Sequence, residues 1–177
     1  MKFKIGKNEI GSIKTFVIAE IGNNHNGDLD RAKLMIDKAV DMGAECAKFQ
    51  MRHINEVYRA KSLDKSGEDL GTEYIIDLLN KFELSVKQQK ALSDYCAYKG
   101  ILYMCTPWDG KSVDVLESFL VPAYKVASAD LTNLPLLDKL SKTKKPLILS
   151  TGMSTSDEIQ ISADFLNKRK VDFVFLH

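Results

Sequence analysis

The sequence predicts an α/β fold of parallel strands closed as a β/α barrel, and three observations carry that expectation. Short apolar runs with strand composition recur along the 177 residues, nearly every gap between them has helical periodicity, and polar residues capable of chemistry fall at the C-terminal ends of several runs. Alternation of this kind requires right-handed crossovers between parallel strands, which leaves a doubly wound sheet or a (β/α)8 TIM-type barrel. No Gly-x-Gly-x-x-Gly pattern or phosphate-loop lysine follows the first run, and useful residues at many strand ends rather than one crevice favour the barrel.

Residues 1–15 read as an N-terminal hairpin or cap, and residues 16–177 as the barrel itself. The first barrel strand is Phe16–Ile21, which carries Glu20 in an apolar run and breaks into an Asn/Gly turn ending at Gly27. Burying an ionised carboxylate without partners costs several kcal/mol, so Glu20 belongs at a strand end, facing a cation, a ligand or water. A helix from about Asp28 to Met42 follows, with Leu29, Ala32, Met35, Ile36, Ala39 and Val40 on one face and Gly43 placed to end it. In the second strand, Cys46–Gln50, Lys48 and Gln50 share one face while Ala47 and Phe49 share the other. The long gap that follows, Met51 to Leu84, holds an additional helix over Thr72–Phe82, placed to act as a lid or wall. Ser85 and Gln88 form a capping box for a helix closed by Gly100.

The third strand is Ile101–Cys105, leading to Thr106, Pro107 and Trp108, and Asp109 can cap a helix through Val113, Leu116 and Phe119. The fourth, Ala123–Ala127, carries Lys125 within an apolar run and leads to Ser128 and Asp130. Asn133, with Pro135 in the first turn, opens a helix through Leu136, Leu137 and Leu140. Leu147–Ser150 is the fifth strand, Thr155 and Glu158 offer a second capping box, and Asp172–Leu176 is the sixth strand. The chain stops at His177, where a barrel of about 250 residues would need two more units. The expectation is a fragment holding only the first six β/α units.

Composition excludes several classes of function. Lys and Arg number 25 against 24 Asp and Glu, with no basic stripe interleaved with aromatics, which argues against nucleic acid. No signal-peptide core and no apolar run near the roughly 18 residues of a membrane span is present, so a cytoplasmic protein that does not engage membranes is expected. Cys46, Cys96 and Cys105 form no Cys-x-x-Cys pair and read as buried thiols. His25 lies in a turn, His53 stands without a neighbouring ligand, and no pair has metal-ligand spacing.

The strand-end candidates are therefore Glu20; Lys48 and Gln50; Thr106; Lys125, Ser128 and Asp130; and Ser150 with Thr151 before Gly152. Two lysines among small hydroxyls suit a ligand with two anionic groups, and a phosphorylated carboxylic acid fits better than a plain sugar. Gly152 would let backbone N–H groups approach an anion, although Ser-Thr-Gly is also an ordinary turn. Trp108 could line a pocket or serve as a packing aromatic.

The ordered strings IAEIGNNHNG, AKFQ, CTPWD, YKVAS, NLP and LSTGM resemble the sialic acid synthase family, the phosphoenolpyruvate-dependent N-acetylneuraminate synthases with their legionaminic and pseudaminic relatives. The resemblance covers residues 13 to 177. It implies a barrel followed by a C-terminal antifreeze-like domain, absent here, and a homodimer when full length. The implied reaction joins C3 of phosphoenolpyruvate to the aldehyde of N-acetylmannosamine or a related amino sugar, giving a nonulosonic acid and phosphate. Lys48, Thr106, Lys125, Ser128 and Ser150 match positions around phosphoenolpyruvate, while Glu20 and Gln50 match positions near the sugar. Glu20, Lys48 and Lys125 carry the implied catalytic roles. Asp130 stands where a glutamate is common. The family uses Mn²⁺ or Mg²⁺, with histidine ligands from later strands that have no counterpart here. The fragment alone is then expected to be inactive. The alternatives are a non-catalytic binding or interaction fragment, or a legionaminic or pseudaminic acid synthase relative; Glu68 to Phe82 resembles a bacterial subgroup of the family.

Overall fold

Strand residues alternate sides, so every strand of a barrel must divide its residues between an interior and a helix-covered exterior. The computed structural model describes residues 2–58 and 70–177 and shows this division throughout. Six parallel strands lie side by side in chain order: β3 (Ile18–Gly22), β4 (Cys46–Met51), β5 (Leu102–Pro107), β6 (Tyr124–Val126), β7 (Leu147–Ser150) and β8 (Phe173–Leu176). They form a curled partial TIM-type barrel of six β/α units. At its N-terminal end, β1 (Phe3–Ile5) and β2 (Asn8–Ile10) make a separate antiparallel pair.

The helices are α1 (Leu29–Asp41), α2 (Ile54–Val57), α3 (Leu70–Phe82), α4 (Val86–Lys99), α5 (Gly110–Ser118), α6 (Leu134–Lys142) and α7 (Ser156–Lys168). Their apolar stripes meet the outward residues of the strands in one large core, where Phe49, Tyr103, Tyr124 and Leu149 pack against Ile36, Leu92, Leu116 and Leu140. A smaller inner core closes the bottom of the barrel. There Phe3 and Ile5 of the hairpin pack with the inward residues Cys46, Met104, Ala123 and Ile148. All three cysteines are free and buried, as expected. Among the described residues no helix is long and apolar enough to cross a membrane.

The local signals act where the sequence places them. Asp28 accepts from the backbone of Asp30 and Arg31 to start α1, Ser85 and Gln88 close a capping box on α4, and Gly100 ends α4 in the left-handed conformation at φ 74°. The additional helix is present over Leu70–Phe82, and Glu68 lies outside the described residues. Thr155 and Glu158 make the capping box of α7, with the Glu158 N–H donating to the Thr155 hydroxyl at 3.3 Å. Thr155→Ala removes one of these bonds and is expected to cost about 1 kcal/mol, seen as a fall of about 2–4 °C in Tm for a domain of this size.

Several boundaries differ. β3 begins at Ile18 because the Val17 N–H is taken by the Glu45 carboxylate at 2.8 Å, while the Val17 carbonyl accepts from Glu45 and Cys46. β6 is only three residues long, since Ser128–Asp130 tightens at once into a 3₁₀ turn. The short helix α2 has no strong signal in the sequence.

Candidate functional site

Alternation along each strand sends Glu20, Lys48, Gln50, Thr106, Lys125 and Ser150 to the inward side, above the apolar plug. Register then decides which of them meet. Glu20 pairs in register with Lys48, and Gln50 with Thr106. The Lys48 ammonium lies 2.8 Å from a Glu20 carboxylate oxygen and donates to the Thr106 hydroxyl at 2.8 Å. The lysine side chain is only 5% exposed and the glutamate 55%, so the pair runs from the barrel interior out to its mouth.

A second cation stands on β6. The Lys125 ammonium donates to the Ser150 hydroxyl and to the Val126 carbonyl, each at 2.6 Å. Burial pushes this amine down to about 8, the positive charge of Lys48 acts in the same direction, and the Glu20 carboxylate opposes both. Two ammoniums thus share one interior with the Glu20 carboxylate, which is more than half exposed. That is an electrostatic arrangement suited to an anion.

The remaining candidates surround this pair. The Ser128 hydroxyl lies 3.7 Å from the point where a Cβ would stand on Gly152, which brings the β6 and β7 loops together beside Ser150. Asp130 is placed differently. It is buried in the 3₁₀ turn with one oxygen accepting from the Asn133 amide at 2.9 Å, and burial raises its carboxyl above the ordinary carboxylate range. Gln50 faces the mouth, where its side-chain oxygen accepts from Arg52 and from the Trp108 indole. Trp108 therefore combines packing with a polar contact.

His25 and His53 both make hydrogen bonds within the chain. His25 is buried beside Phe49 and accepts the Gly27 N–H at 3.0 Å, while burial lowers its pKa. The ring of His53 meets Asp109 and Ser112 at 3.2 Å, and Asp109 also accepts the His53 backbone N–H at 2.7 Å while capping α5. Among the described residues no three His, Cys, Asp or Glu side chains are grouped to hold a metal ion. The strand-end ammoniums and hydroxyls are not ligands for the divalent metal that the resemblance implies, whose histidine ligands it places on later strands outside this chain.

Comparison with known proteins agrees with the string of strand-end motifs. The family described as the NeuB family matches residues 35–177. The chain belongs to the NeuB family. An uncharacterized protein of Methanocaldococcus jannaschii is 42% identical over 99% of this chain and 50% of its own length. The N,N'-diacetyllegionaminic acid synthase of Campylobacter jejuni is 37% identical over 93% of this chain and 51% of its own. The crystal structure of an N-acetylneuraminic acid synthetase from Leptospira borgpetersenii, in complex with citrate, superposes with a TM-score of 0.87 at 31% identity, over all of this chain and 59% of that one. This NeuB family chain spans about half the length of the curated relatives it matches.

Sequence reasoning missed Arg52 and Glu83. Arg52 is 7% exposed, sits over the Trp108 ring at 4.9 Å and pairs with Glu83 at 3.5 Å. Burial pushes the Glu83 carboxyl up to about 7. A signal for Arg52 did exist, because Lys48, Gln50 and Arg52 continue a period of two past the end of β4.

Proposed function

We propose that the protein to which this chain belongs condenses phosphoenolpyruvate with N-acetylmannosamine or a related amino-sugar aldose, forming a nonulosonic acid and releasing phosphate. One observation carries the reading: Lys48 and Lys125, two buried ammoniums each held by a strand-end hydroxyl, converge on the interior of the barrel. Phosphoenolpyruvate presents a phosphate and a carboxylate, and two fixed cations with Thr106, Ser128 and Ser150 as short donors complement both groups. In the reaction C3 of the enol attacks the aldehyde carbon, water adds at C2, and the C2–O bond to phosphate breaks. Lys48 and Lys125 hold the charges of the phosphate and carboxylate through these steps. Glu20, at the mouth, accepts a hydroxyl proton of the sugar or orients its aldehyde, and Gln50 supplies a further contact beside it. The names of the Campylobacter and Leptospira relatives, an N,N'-diacetyllegionaminic acid synthase and an N-acetylneuraminic acid synthetase, support this substrate class.

The test is calorimetric titration of the chain with phosphoenolpyruvate, with and without Mn²⁺, alongside an assay for released phosphate. Saturable binding indifferent to Mn²⁺ and no phosphate release from the 177 residues alone are expected. Absence of binding to a chain that circular dichroism shows to be folded would overturn the assignment of the two lysines.

A further inference from the structure

We propose that Arg52 and Trp108 are positioning residues that lock the Gln50 side-chain amide with its nitrogen turned to the barrel mouth, where it and Glu20 together hold a sugar hydroxyl. The inference deepens the amino-sugar reading of the mouth and rests on it for the identity of the ligand. The lock itself follows from donor chemistry. An arginine guanidinium and a tryptophan indole can only donate hydrogen bonds, so the amide atom between them must be the acceptor. Arg52 approaches the Gln50 oxygen at 2.5 Å and Trp108 approaches it at 3.3 Å. The opposite amide orientation would set an NH₂ group against two N–H donors in a half-buried site, leaving all of them unpaired.

Each donor is itself fixed. The guanidinium stacks on the Trp108 ring at 4.9 Å and faces the Glu83 carboxylate, whose other oxygen accepts the Arg52 backbone N–H at 3.4 Å. The Gln50 carbonyl accepts from Gln89 at 2.7 Å, and Gln89 in turn accepts from the buried Tyr103 hydroxyl at 2.6 Å. Backbone and side chain of Gln50 are thus both restrained. Its nitrogen lies 3.3 Å from the point where a Cβ would stand on Gly22, and a Glu20 oxygen lies 3.1 Å from the same point. Gly22, at φ +54°, keeps that notch open between one acceptor and one donor. A hydroxyl both donates and accepts, so it complements the notch, whereas an anion would face the Glu20 carboxylate.

The probe is the side-chain amide of Gln50 in ¹⁵N-labelled chain, assigned by its disappearance in Gln50→Met. Wild type is expected to give one sharp pair of amide proton signals. Trp108→Phe keeps a ring beneath the guanidinium, and Arg52→Lys keeps a cation facing Glu83. In both variants the Gln50 pair is expected to broaden or double while the backbone spectrum of the strands is unchanged. Titration with N-acetylmannosamine is then expected to show about tenfold weaker binding for Arg52→Lys, and no further loss when that change is added to Gln50→Met. A Gln50 amide that stays sharp and single in both variants overturns the lock. So does a further tenfold loss in the double variant, since Arg52 would then act by a route other than Gln50. A wild-type chain that shows the lock and ignores the sugar overturns the amino-sugar reading and the hydroxyl role built on it, while the lock stands.

Discussion

Lys125→Met is expected to weaken phosphoenolpyruvate binding more than tenfold while raising the melting temperature at pH 7 by about 2–4 °C, the change that about 1 kcal/mol makes in a domain of this size. The two effects have one cause. Lys125 is buried and, among the described residues, held only by the Ser150 hydroxyl and one carbonyl, with the charge of Lys48 near it, so its amine is pushed down to about 8. In the unfolded chain the same amine titrates near 10.4. Between these values the unfolded chain carries a proton that the folded chain lacks, so this group makes stability rise with pH through that window. Below pH 8 both states are charged and the whole cost of burying the ammonium is present. Methionine fills similar space without the charge and removes both the cost and its pH slope. Thermal melts from pH 7 to 10 and calorimetry with phosphoenolpyruvate check the prediction together. Lys48→Met is expected to lose binding to the same degree without the gain in stability, because Lys48 already has Glu20 and Thr106 as partners. Undiminished binding in both variants would sink the assignment of the anion site. A cation kept at a cost in an apolar interior is what a binding site requires and a scaffold does not.

Lys48 and Lys125 were legible in the sequence because each interrupts an apolar strand, and a charge in a strand core has few uses. Their convergence was legible only as far as strand alternation goes. That Glu20 would stand opposite Lys48, and Gln50 opposite Thr106, depends on register between β3, β4 and β5, which no local pattern states. The helices were readable almost to the residue wherever a cap was spelled out, as at Ser85, Gly100, Asn133 and Thr155, because a cap is a local hydrogen bond. The start of β3 was misplaced for a non-local reason, the Glu45 carboxylate that takes the Val17 N–H. Arg52 and Glu83 escaped notice for the same reason. They lie 31 residues apart, and their meeting depends on the path through α3, not on composition. Asp130 reads from sequence as a ligand contact; in the 3₁₀ turn that follows β6 one of its oxygens accepts from Asn133, while the other is buried without a hydrogen-bond partner among the described residues.

Gly27→Ala is expected to cost roughly 2–4 kcal/mol of stability, the sum of left-handed strain and a forced backbone shift. Gly27 sits at φ +79°, and a Cβ added there would stand 2.7 Å from the Lys81 carbonyl oxygen and 3.5 Å from the Phe82 Cα, both in the last turn of α3. A backbone oxygen cannot swing aside as a side-chain tip can, so either α3 or the turn between β3 and α1 must move. That turn also holds His25, whose ring accepts the Gly27 N–H, and it begins directly after the strand that carries Glu20. Gly43 supplies the control. It has nearly the same φ, +76°, with nothing within 4 Å of the added carbon, so Gly43→Ala carries the strain alone, about 1–2 kcal/mol. Urea unfolding of the two variants isolates the contact by difference. An excess loss for Gly27→Ala means that the additional helix is packed as a wall against the turn leading from Glu20. Equal losses would mean that α3 contributes nothing to holding that turn, and the wall would have to be sought elsewhere along the β4–β5 connection.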